Sequence, residues 1–258
     1  MNDREGHESA SPARGRFDVD LVEHGGPVHG ALQTLDRRLF VQLQVFTGCL
    51  DPTAAIEAVA GSGLDAVLYA DLNDPRGIGV LCMTEDPREL AEAGRTLLRS
   101  HPFAAFTPRL DFAMLGRTYA SGREPNLVDF LLYKGRRHAL NPAMPWAIWY
   151  PLRRTGAFNR LSRSEQGPIM AEHATIGRAY GETGHAVDIR LECHGLDQHD
   201  NEFVLGILGP ELYPLSKLIK DMRSTRQTSE FIEQMGPFFV GRVLFQTPVP
   251  DRAKLPAD

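Results

Sequence analysis

Two hydrophobic periods follow one another along this chain, and they do so twice in the same order. Segments in which apolar and polar residues alternate are typical of strands, and segments with apolar residues three or four positions apart are typical of amphipathic helices. The first half predicts a strand at 38–48, a helix at 52–60, strands at 64–71 and 78–83, a helix at 87–99 and a strand at 110–119. The second half predicts a strand at 146–153, a helix at 164–180, strands at 186–193 and 202–208, a helix at 212–228 and a strand at 238–245.

This repeat predicts an α+β fold made of two tandem ferredoxin-like β-α-β-β-α-β halves, of the dimeric α+β barrel type. Residues 1–33 are polar and rich in glycine, serine, proline and charge, so we expect a flexible tail or a loosely docked arm. Residues 34–125 then form the first, structural half, and residues 126–258 form the second. Because each antiparallel sheet carries its helices on one face, the opposite faces are free to meet and line a cavity.

The strand predicted at 186–193 alternates cleanly between apolar and charged residues. One side carries Val187, Ile189, Leu191 and Cys193, and the other carries Asp188, Arg190, Glu192 and His194. In an ordinary sheet the charged side faces water, whereas in this architecture it could instead line a cavity. The sequence leaves both possibilities open.

Composition and charge exclude several classes of partner. The chain has 258 residues, of which 42% are apolar, and a net charge of −5, which argues against a nucleic-acid or polybasic membrane surface. No apolar run approaches the ~20 residues that cross a bilayer, and the N-terminus lacks the apolar stretch of a signal peptide. The three cysteines are widely spaced and odd in number, typical of buried thiols in a reducing compartment. We therefore expect a cytoplasmic protein without nucleic-acid or membrane partners.

One histidine stands on the apolar stripe of the helix predicted at 164–180. His173 shares that stripe with Ile169, Ile176 and Tyr180 at i, i+4, i+7 and i+11 spacing. An imidazole that faces a core must find a partner for each ring nitrogen or bind something there. The alternatives are a metal ligand and a core histidine that is hydrogen-bonded to the backbone.

A second cluster of possible metal ligands lies in the polar segment after the strand at 186–193. His194, Asp197, His199 and Asp200 fall within seven residues, and imidazole and carboxylate groups can bind a divalent ion. Their spacing matches no standard site, and Gly195 is typical of a hairpin turn. We predict a solvated loop here.

Four short strings in the second half of the chain form a recognisable combination. The first is the strand sequence WYPLRR at 149–154, and the second is the helix sequence EHATIGRAY at 172–180. The third is GLD at 195–197, and the fourth is Met222-Arg223 followed by GPFFVG at 236–241. Taken together they resemble the chlorite dismutase family, which comprises haem proteins that include chlorite dismutases and the coproheme decarboxylases of bacterial haem synthesis. The match covers about 110–245 well, and the first half mainly by the order of its elements.

The resemblance implies that His173 is the proximal ligand of the iron in haem b or iron-coproporphyrin. The second ring nitrogen then needs an acceptor that orients the imidazole and tunes its donor strength. Where the family often has a glutamate, counting back from Gly236 leads to Gln227, whose neutral amide would attract the imidazole proton less strongly. Glu230 takes that role if the register slips by a few residues.

The resemblance also assigns residues around the porphyrin edge. Tyr150 aligns with the tyrosine that coproheme decarboxylases oxidise to a radical next to a propionate. Arg154 stands where that group has an assisting lysine, and an arginine can hold a propionate but cannot deliver a proton at neutral pH. Arg136 and Arg223 align with propionate-binding positions. Arg136, which lies in a basic run, could equally be a solvated arginine, whereas Arg223 is the stronger candidate because the Met-Arg pair recurs in the motif.

The distal residue is left open by the same comparison. Counting back from the GLD string places Arg190 over the iron, counting forward from His173 places Ala186 there, and Asp188 lies between them. The tryptophan pair of chlorite dismutases is replaced by Phe158-Asn159, with Phe158 expected to contact the cofactor. Because the tyrosine at 150 is present and the tryptophan pair is absent, chlorite chemistry is disfavoured.

Three functions of different classes follow from these residues. The first is peroxide-dependent oxidative decarboxylation of coproheme, or related haem peroxidase-like chemistry. The second is a haem carrier or sensor that has the cavity but no turnover. The third is a protein of the same fold without cofactor, because fold does not fix function. The resemblance further implies a homo-oligomer, a ring of about five protomers.

Overall fold

The computed structural model describes residues 18–253, which form twelve strands and seven α-helices. The strands are β1 (Glu23–Val28), β2 (Ala31–Leu35), β3 (Phe40–Thr47), β4 (Asp65–Asp71), β5 (Ile78–Thr84), β6 (Thr107–Pro108), β7 (Met114–Arg117), β8 (Trp146–Arg154), β9 (Val187–Glu192), β10 (Phe203–Gly209), β11 (Ile232–Met235) and β12 (Phe239–Gln246). The helices are α1 (Thr53–Ala60), α2 (Pro87–Arg95), α3 (Gly135–Ala139), α4 (Gly156–Arg160), α5 (Arg163–Glu182), α6 (Leu212–Arg223) and α7 (Arg226–Phe231).

Eight antiparallel strands close into a barrel. Their order is β7-β3-β5-β4-β12-β8-β10-β9, and β9 pairs with β7 to complete the circle. In each half the order around the barrel is fourth, first, third and second strand, which is the arrangement of a ferredoxin-like sheet. The two halves are joined through the pairs β4–β12 and β7–β9. The predicted fold class is therefore confirmed.

The barrel interior is a solid apolar core. Trp149 and Phe239 are fully buried inside it, and their rings lie against Gly206 of β10 and Gly79 of β5, respectively. A Cβ added to Gly206 would lie 2.5 Å from the Trp149 ring, so only glycine leaves room for the indole there. The inner faces therefore pack against each other, and the expectation that they line a cavity is wrong.

The helices pack on the outside of the barrel. Helices α1 and α2 lie on the first-half strands, and α5 and α6 lie on the second-half strands. Residues of strand β8 alternate between the two sides of the barrel wall. Trp149 points into the barrel, whereas Ile148 and Tyr150 point outwards and pack against α6. Helix α5 begins with a capping box, in which Ser162 and Glu165 satisfy each other's backbone amides. Among the described residues, no helix combines the length and apolar character that a membrane crossing requires.

Several local predictions need correction. The helix predicted at 212–228 is two helices, α6 and α7, separated at Ser224-Thr225. The strand predicted at 110–119 is a 3₁₀ turn followed by the short strand β7, and the segment between the halves contains a π-helical turn (Asp129–Lys134) that continues into α3. The described part of the arm predicted at 1–33 forms most of the hairpin β1–β2. Glu23 of β1 connects this hairpin to the barrel through ion pairs with Arg38 and Arg117. Residues 1–17 of that prediction lie outside the described residues.

Candidate functional site

A cavity of about 510 Å³ lies on the outer face of the second-half sheet, against α5 and α6. Its volume falls in the range of roughly 300–1,000 Å³ that is usual for small-molecule sites. Helices α5 and α6, strands β8 to β10 and the helical connection between the halves all contribute to its walls. Its lining includes Lys134, His138, Tyr150, His173, Ala174, Gly177, Arg178, Gly181, Ala186, Asp188, Arg190 and Met222.

His173 lines this cavity and is oriented by a buried threonine. Its Nδ1 lies 3.2 Å from Oγ1 of Thr225, a residue that is 1% exposed. The same hydroxyl donates to the carbonyl oxygen of Met222 at 2.8 Å, so it can accept the Nδ1 proton. This arrangement leaves the lone pair on Nε2, which has no hydrogen-bond partner within residues 18–253.

Thr225, and not Gln227, is therefore the partner of His173, which corrects the sequence prediction. The reason is the break between α6 and α7, because Thr225 is the N-cap of α7 and a continuous helix would have placed a different residue there. Gln227 is half-buried, and its Oε1 has no hydrogen-bond partner in the described structure. Glu230, the alternative, forms an exposed ion pair with Arg226 at 3.0 Å.

The surroundings of His173 favour its neutral form. Burial lowers the pKa of the imidazole, and the positive charge of Arg190 lowers it further. A neutral imidazole with one nitrogen held by an acceptor is the form that coordinates metals. At neutral pH the ring can therefore act as a ligand without first losing a proton.

The side chains of α5 around His173 are small. Ala174 follows His173 directly, Gly177 and Gly181 lie one and two turns further along the helix, and all three line the cavity. A Cβ at Gly177 would lie 3.3 Å from Cε of Met222, so this glycine allows α5 and α6 to approach closely. A flat ligand can therefore lie against the helix beside the ring.

The charged side of β9 forms the opposite wall, which resolves the alternative left open by the sequence. Ala186, Asp188 and Arg190, the three candidates for the distal position, all line the cavity. Nε of Arg190 donates to Oδ2 of Asp188 at 3.0 Å, and both side chains remain more than 40% exposed. Glu192 on the same side is instead paired with Arg117 at 2.9 Å. The charged side therefore faces a cavity, although one outside the barrel.

Tyr150 lies in the same wall and is almost completely buried. Its ring stacks on Phe238 with 4.7 Å between centroids, and it is 5% exposed. Burial raises the pKa of the phenol well above its usual value, and the carboxylate of Asp188 adds to this shift. The phenol therefore keeps its proton at neutral pH.

The structure does not bring two of the predicted arginines to the cavity. Arg136 is fully buried, with its Nε 2.7 Å from Oδ2 of Asp65 and its Nη1 2.6 Å from the carbonyl of Leu132. Arg154 is held by Glu202, at 2.5 Å between Nη2 and Oε1. Neither predicted porphyrin contact is seen in this structure, because carboxylates of Asp65 and Glu202 already hold these guanidinium groups away from the cavity.

Phe158 and Arg223 also lie outside the cavity. Phe158 stacks under the Arg154 guanidinium at 4.5 Å and packs edge-on against Phe231. Arg223 is exposed and lies 6.0 Å from the ring of Phe238, at the rim of a separate groove. The expected cofactor contact of Phe158 is thus replaced by a structural one, and Arg223 is near the cavity but not in its lining.

Sequence reasoning missed four lining or supporting residues. Lys134 and His138 are spaced by four residues on the helical connection and both reach the cavity, whereas Arg136 between them points away from it. Burial, followed by the charge of Lys134, lowers the pKa of His138, whose Nδ1 has no hydrogen-bond partner among the described residues. Arg178 on α5 and Thr225 complete the set. Only the four-residue spacing was visible in the sequence.

The loop at 194–201 is stabilised by hydrogen bonds to the carboxylate of Asp197. Oδ1 of Asp197 accepts from the backbone amides of His199 and Asn201, at 2.9 and 3.1 Å. Within the part of the chain that is described, no group of histidine, cysteine and acidic side chains is arranged to hold a metal ion. The three cysteines are all buried, as predicted.

Comparisons with known proteins agree with this architecture. A family model described as chlorite dismutase matches residues 65–244. A solved structure of a novel heme-binding protein from Thermus thermophilus is 18% identical, with a TM-score of 0.63 over 81% of this chain and 92% of the other. Chlorite dismutase from Candidatus Nitrospira defluvii in complex with imidazole is 14% identical, with a TM-score of 0.61 over 81% and 92%. No curated protein sequence matches significantly.

Proposed function

We propose that this chain, which belongs to the chlorite dismutase family, binds an iron porphyrin in the cavity against α5 and α6, with Nε2 of His173 as the iron ligand. The observation that carries the proposal is the hydrogen bond from Nδ1 of His173 to Thr225. It fixes the tautomer and the ring orientation, as the outer partners of metal-bound histidines do. The solved haem-binding relative supports the same cofactor class.

The lining residues fit a porphyrin in three respects. The small face of Ala174, Gly177 and Gly181 accommodates a flat macrocycle beside the imidazole. Apolar side chains of β10 and α6 can cover its hydrocarbon surface. Three cations, Lys134, Arg178 and Arg190, line the cavity and can bind propionate carboxylates. We assign them the role that the sequence had suggested for Arg136.

The proposed reaction is peroxide-dependent oxidative decarboxylation of an iron-coproporphyrin. For each propionate, hydrogen peroxide and one proton are consumed, and a vinyl group, carbon dioxide and two waters are formed. The bound iron porphyrin would supply the oxidising chemistry with peroxide. Tyr150, a protonated phenol in the cavity wall, would lose its proton and an electron together and then take hydrogen from the propionate chain.

A second function is favoured by two specific contacts. The hydroxyl of Thr225 is a neutral acceptor, so it makes His173 a weaker donor than a carboxylate would. Arg154, at the position of the assisting lysine, is bound to Glu202 and cannot release a proton at neutral pH. Both contacts suit a haem carrier or sensor without turnover. A cytoplasmic location, expected from composition and cysteine usage, remains a prediction, and so does the ring of about five protomers that the family resemblance implies.

Adding hydrogen peroxide to the protein loaded with ferric coproheme distinguishes the two functions. Mass spectrometry of the extracted porphyrin is expected to show loss of carbon dioxide and two hydrogens per propionate. Tyr150→Phe should bind coproheme equally well and leave it unchanged, whereas Tyr213→Phe, at an exposed tyrosine that is not part of the lining, should behave as the parent does. Unchanged coproheme in the parent, with binding intact, would exclude the decarboxylase and leave the carrier, which rapid haem transfer to an acceptor protein would then support.

A further inference from the structure

We propose that residues 18–23 of one copy, here called the acidic arm, bind in a basic groove on a second copy of this chain. The basic groove is a hollow of about 360 Å³ outside the cavity of the proposed function, lined by Ile148, Ser216, Ile219, Lys220, Arg223, Phe238 and Val240. The arm of each copy would bind the groove of the next copy, so the contact is head to tail. The proposal needs no cofactor, so it stands or falls separately from the proposed function.

The basic groove combines an apolar floor with unpaired positive charge. Ile148, Val240 and Phe238 form the floor on β8 and the start of β12, and α6 forms one side. Lys220 and Arg223 stand exposed on that side, and within residues 18–253 neither forms an ion pair with a carboxylate. Their neighbours on α6 and α7 differ, because Lys217 is paired with Asp221 and Arg226 with Glu230. The groove therefore fits a segment that carries both apolar and acidic side chains.

The acidic arm has this composition. It reads Asp-Val-Asp-Leu-Val-Glu, and its apolar residues are unusually open to solvent, with Val19 71% and Leu21 69% exposed. Asp20 stays 62% exposed although its carboxylate accepts from His24. Arg38 holds the arm on its own barrel through the carboxylate of Glu23 and the carbonyl oxygen of Leu21, while the side chains of Val19 and Leu21 remain exposed to solvent. Exposed apolar residues alternating with carboxylates complement a groove of apolar residues and cations.

The arm cannot reach the groove of its own copy. It is fastened at Arg117, the last residue of β7, whereas the groove lies on β8 and β12. Strand β12 is four strands away from β7 in either direction around the eight-stranded barrel, so the two surfaces face opposite sides of the molecule. Because the arm and the groove face opposite sides, two copies cannot each place their arm in the other's groove at the same time. The contact is therefore heterologous, and it produces a closed ring if the rotation between copies closes and an open filament if it does not.

Cross-linking through paired cysteines tests this contact. In Leu21→Cys/Ser216→Cys the new thiols lie on the acidic arm and in the basic groove, and the three native cysteines are buried and remain silent. Mild oxidation of the apo double variant should give a covalent ladder of dimer, trimer and larger species. Each single variant should remain uncross-linked, and a mixture of the two single variants should stop at a dimer.

Charge reversal in the double-cysteine background tests the electrostatic part of the contact. Lys220→Asp and Asp20→Lys should each reduce the ladder at moderate salt, and combining them should restore it, whereas Arg88→Glu, an exposed cation on α2, should have no effect. A ladder that survives both single reversals would overturn the proposal. So would a double-cysteine variant that stays monomeric on oxidation, or one that stops at a dimer.

Discussion

Replacing Thr225 by valine removes the hydrogen bond that orients His173 while keeping the shape of the side chain. The hydroxyl accepts from Nδ1 of the imidazole at 3.2 Å and donates to the Met222 carbonyl at 2.8 Å. Thr225 is 1% exposed, so water does not replace the lost partner. In Thr225→Val the Nδ1 proton is left unpaired at a half-buried site.

The expected loss follows from the desolvation of that group. Leaving a buried donor unsatisfied costs about 1–3 kcal/mol, which corresponds to roughly 5- to 150-fold in an equilibrium constant. Removing the outer partner of a metal-bound histidine typically weakens binding by about 10- to 100-fold. We therefore expect Thr225→Val to bind ferric haem about 10- to 100-fold more weakly than the parent. Thr225→Ser, which retains the hydroxyl, is expected to stay within about threefold.

The assay is an absorbance titration of the apo-protein with ferric haem at fixed pH, together with a thermal melt of each variant. The melt is needed because Thr225 also bonds to the end of α6, so the valine variant loses some stability as well. Comparison with the serine variant separates the two effects. If Thr225→Val binds haem as tightly as the parent while remaining folded, the assignment of Thr225 as the partner of the iron-bound histidine is wrong.

Three further predictions concern stability and pH. Glu202→Leu should lower the free energy of unfolding in urea by about 3–5 kcal/mol, because it leaves the Arg154 guanidinium buried without its partner; an effect below about 1 kcal/mol would contradict this. Gly206→Ala should destabilise by at least about 1–3 kcal/mol, since the new Cβ meets the Trp149 ring, whereas Gly94→Ala on the open side of α2 should stabilise slightly; equal melting temperatures would refute the packing argument. Burial lowers the pKa of His173, so the folded protein binds fewer protons than the unfolded chain below about pH 6.5. The contribution of His173 to stability should therefore hold above about pH 6.5 and decline below it, whereas haem affinity should decline only below the lowered pKa of the folded state; stability that rises as the pH falls below about 6.5 would refute this sign.

The order of elements was predictable from the sequence because it depends on local periodicity. The same applies to His173, which lies on an apolar stripe, and to Asp188 and Arg190, which share one side of an alternating strand. Closure of the barrel was not predictable in this way, since the pairs β4–β12 and β7–β9 join residues that are far apart in sequence. Periodicity also cannot say which outer face of a sheet lies under a cavity.

Partner choice explains most of the errors at the site. Arg136 and Arg154 have the charge to bind a propionate, but in the folded chain they form ion pairs with Asp65 and Glu202 instead. Nothing local to either arginine reveals these carboxylates, which lie 71 and 48 residues away. Thr225 was missed for a related reason, because a threonine within an apparently continuous helix gives no sign that the helix breaks there.

The central claim, that Nε2 of His173 binds the porphyrin iron, is tested most directly by chemical rescue of His173→Ala. The variant is titrated with ferric haem, and absorption and electron paramagnetic resonance spectra are recorded before and after addition of free imidazole. We expect the histidine-ligated spectrum of the parent to be lost in the variant and to return with imidazole, which can occupy the vacated space beside Thr225. An unchanged spectrum and affinity in His173→Ala, before any imidazole is added, would contradict it.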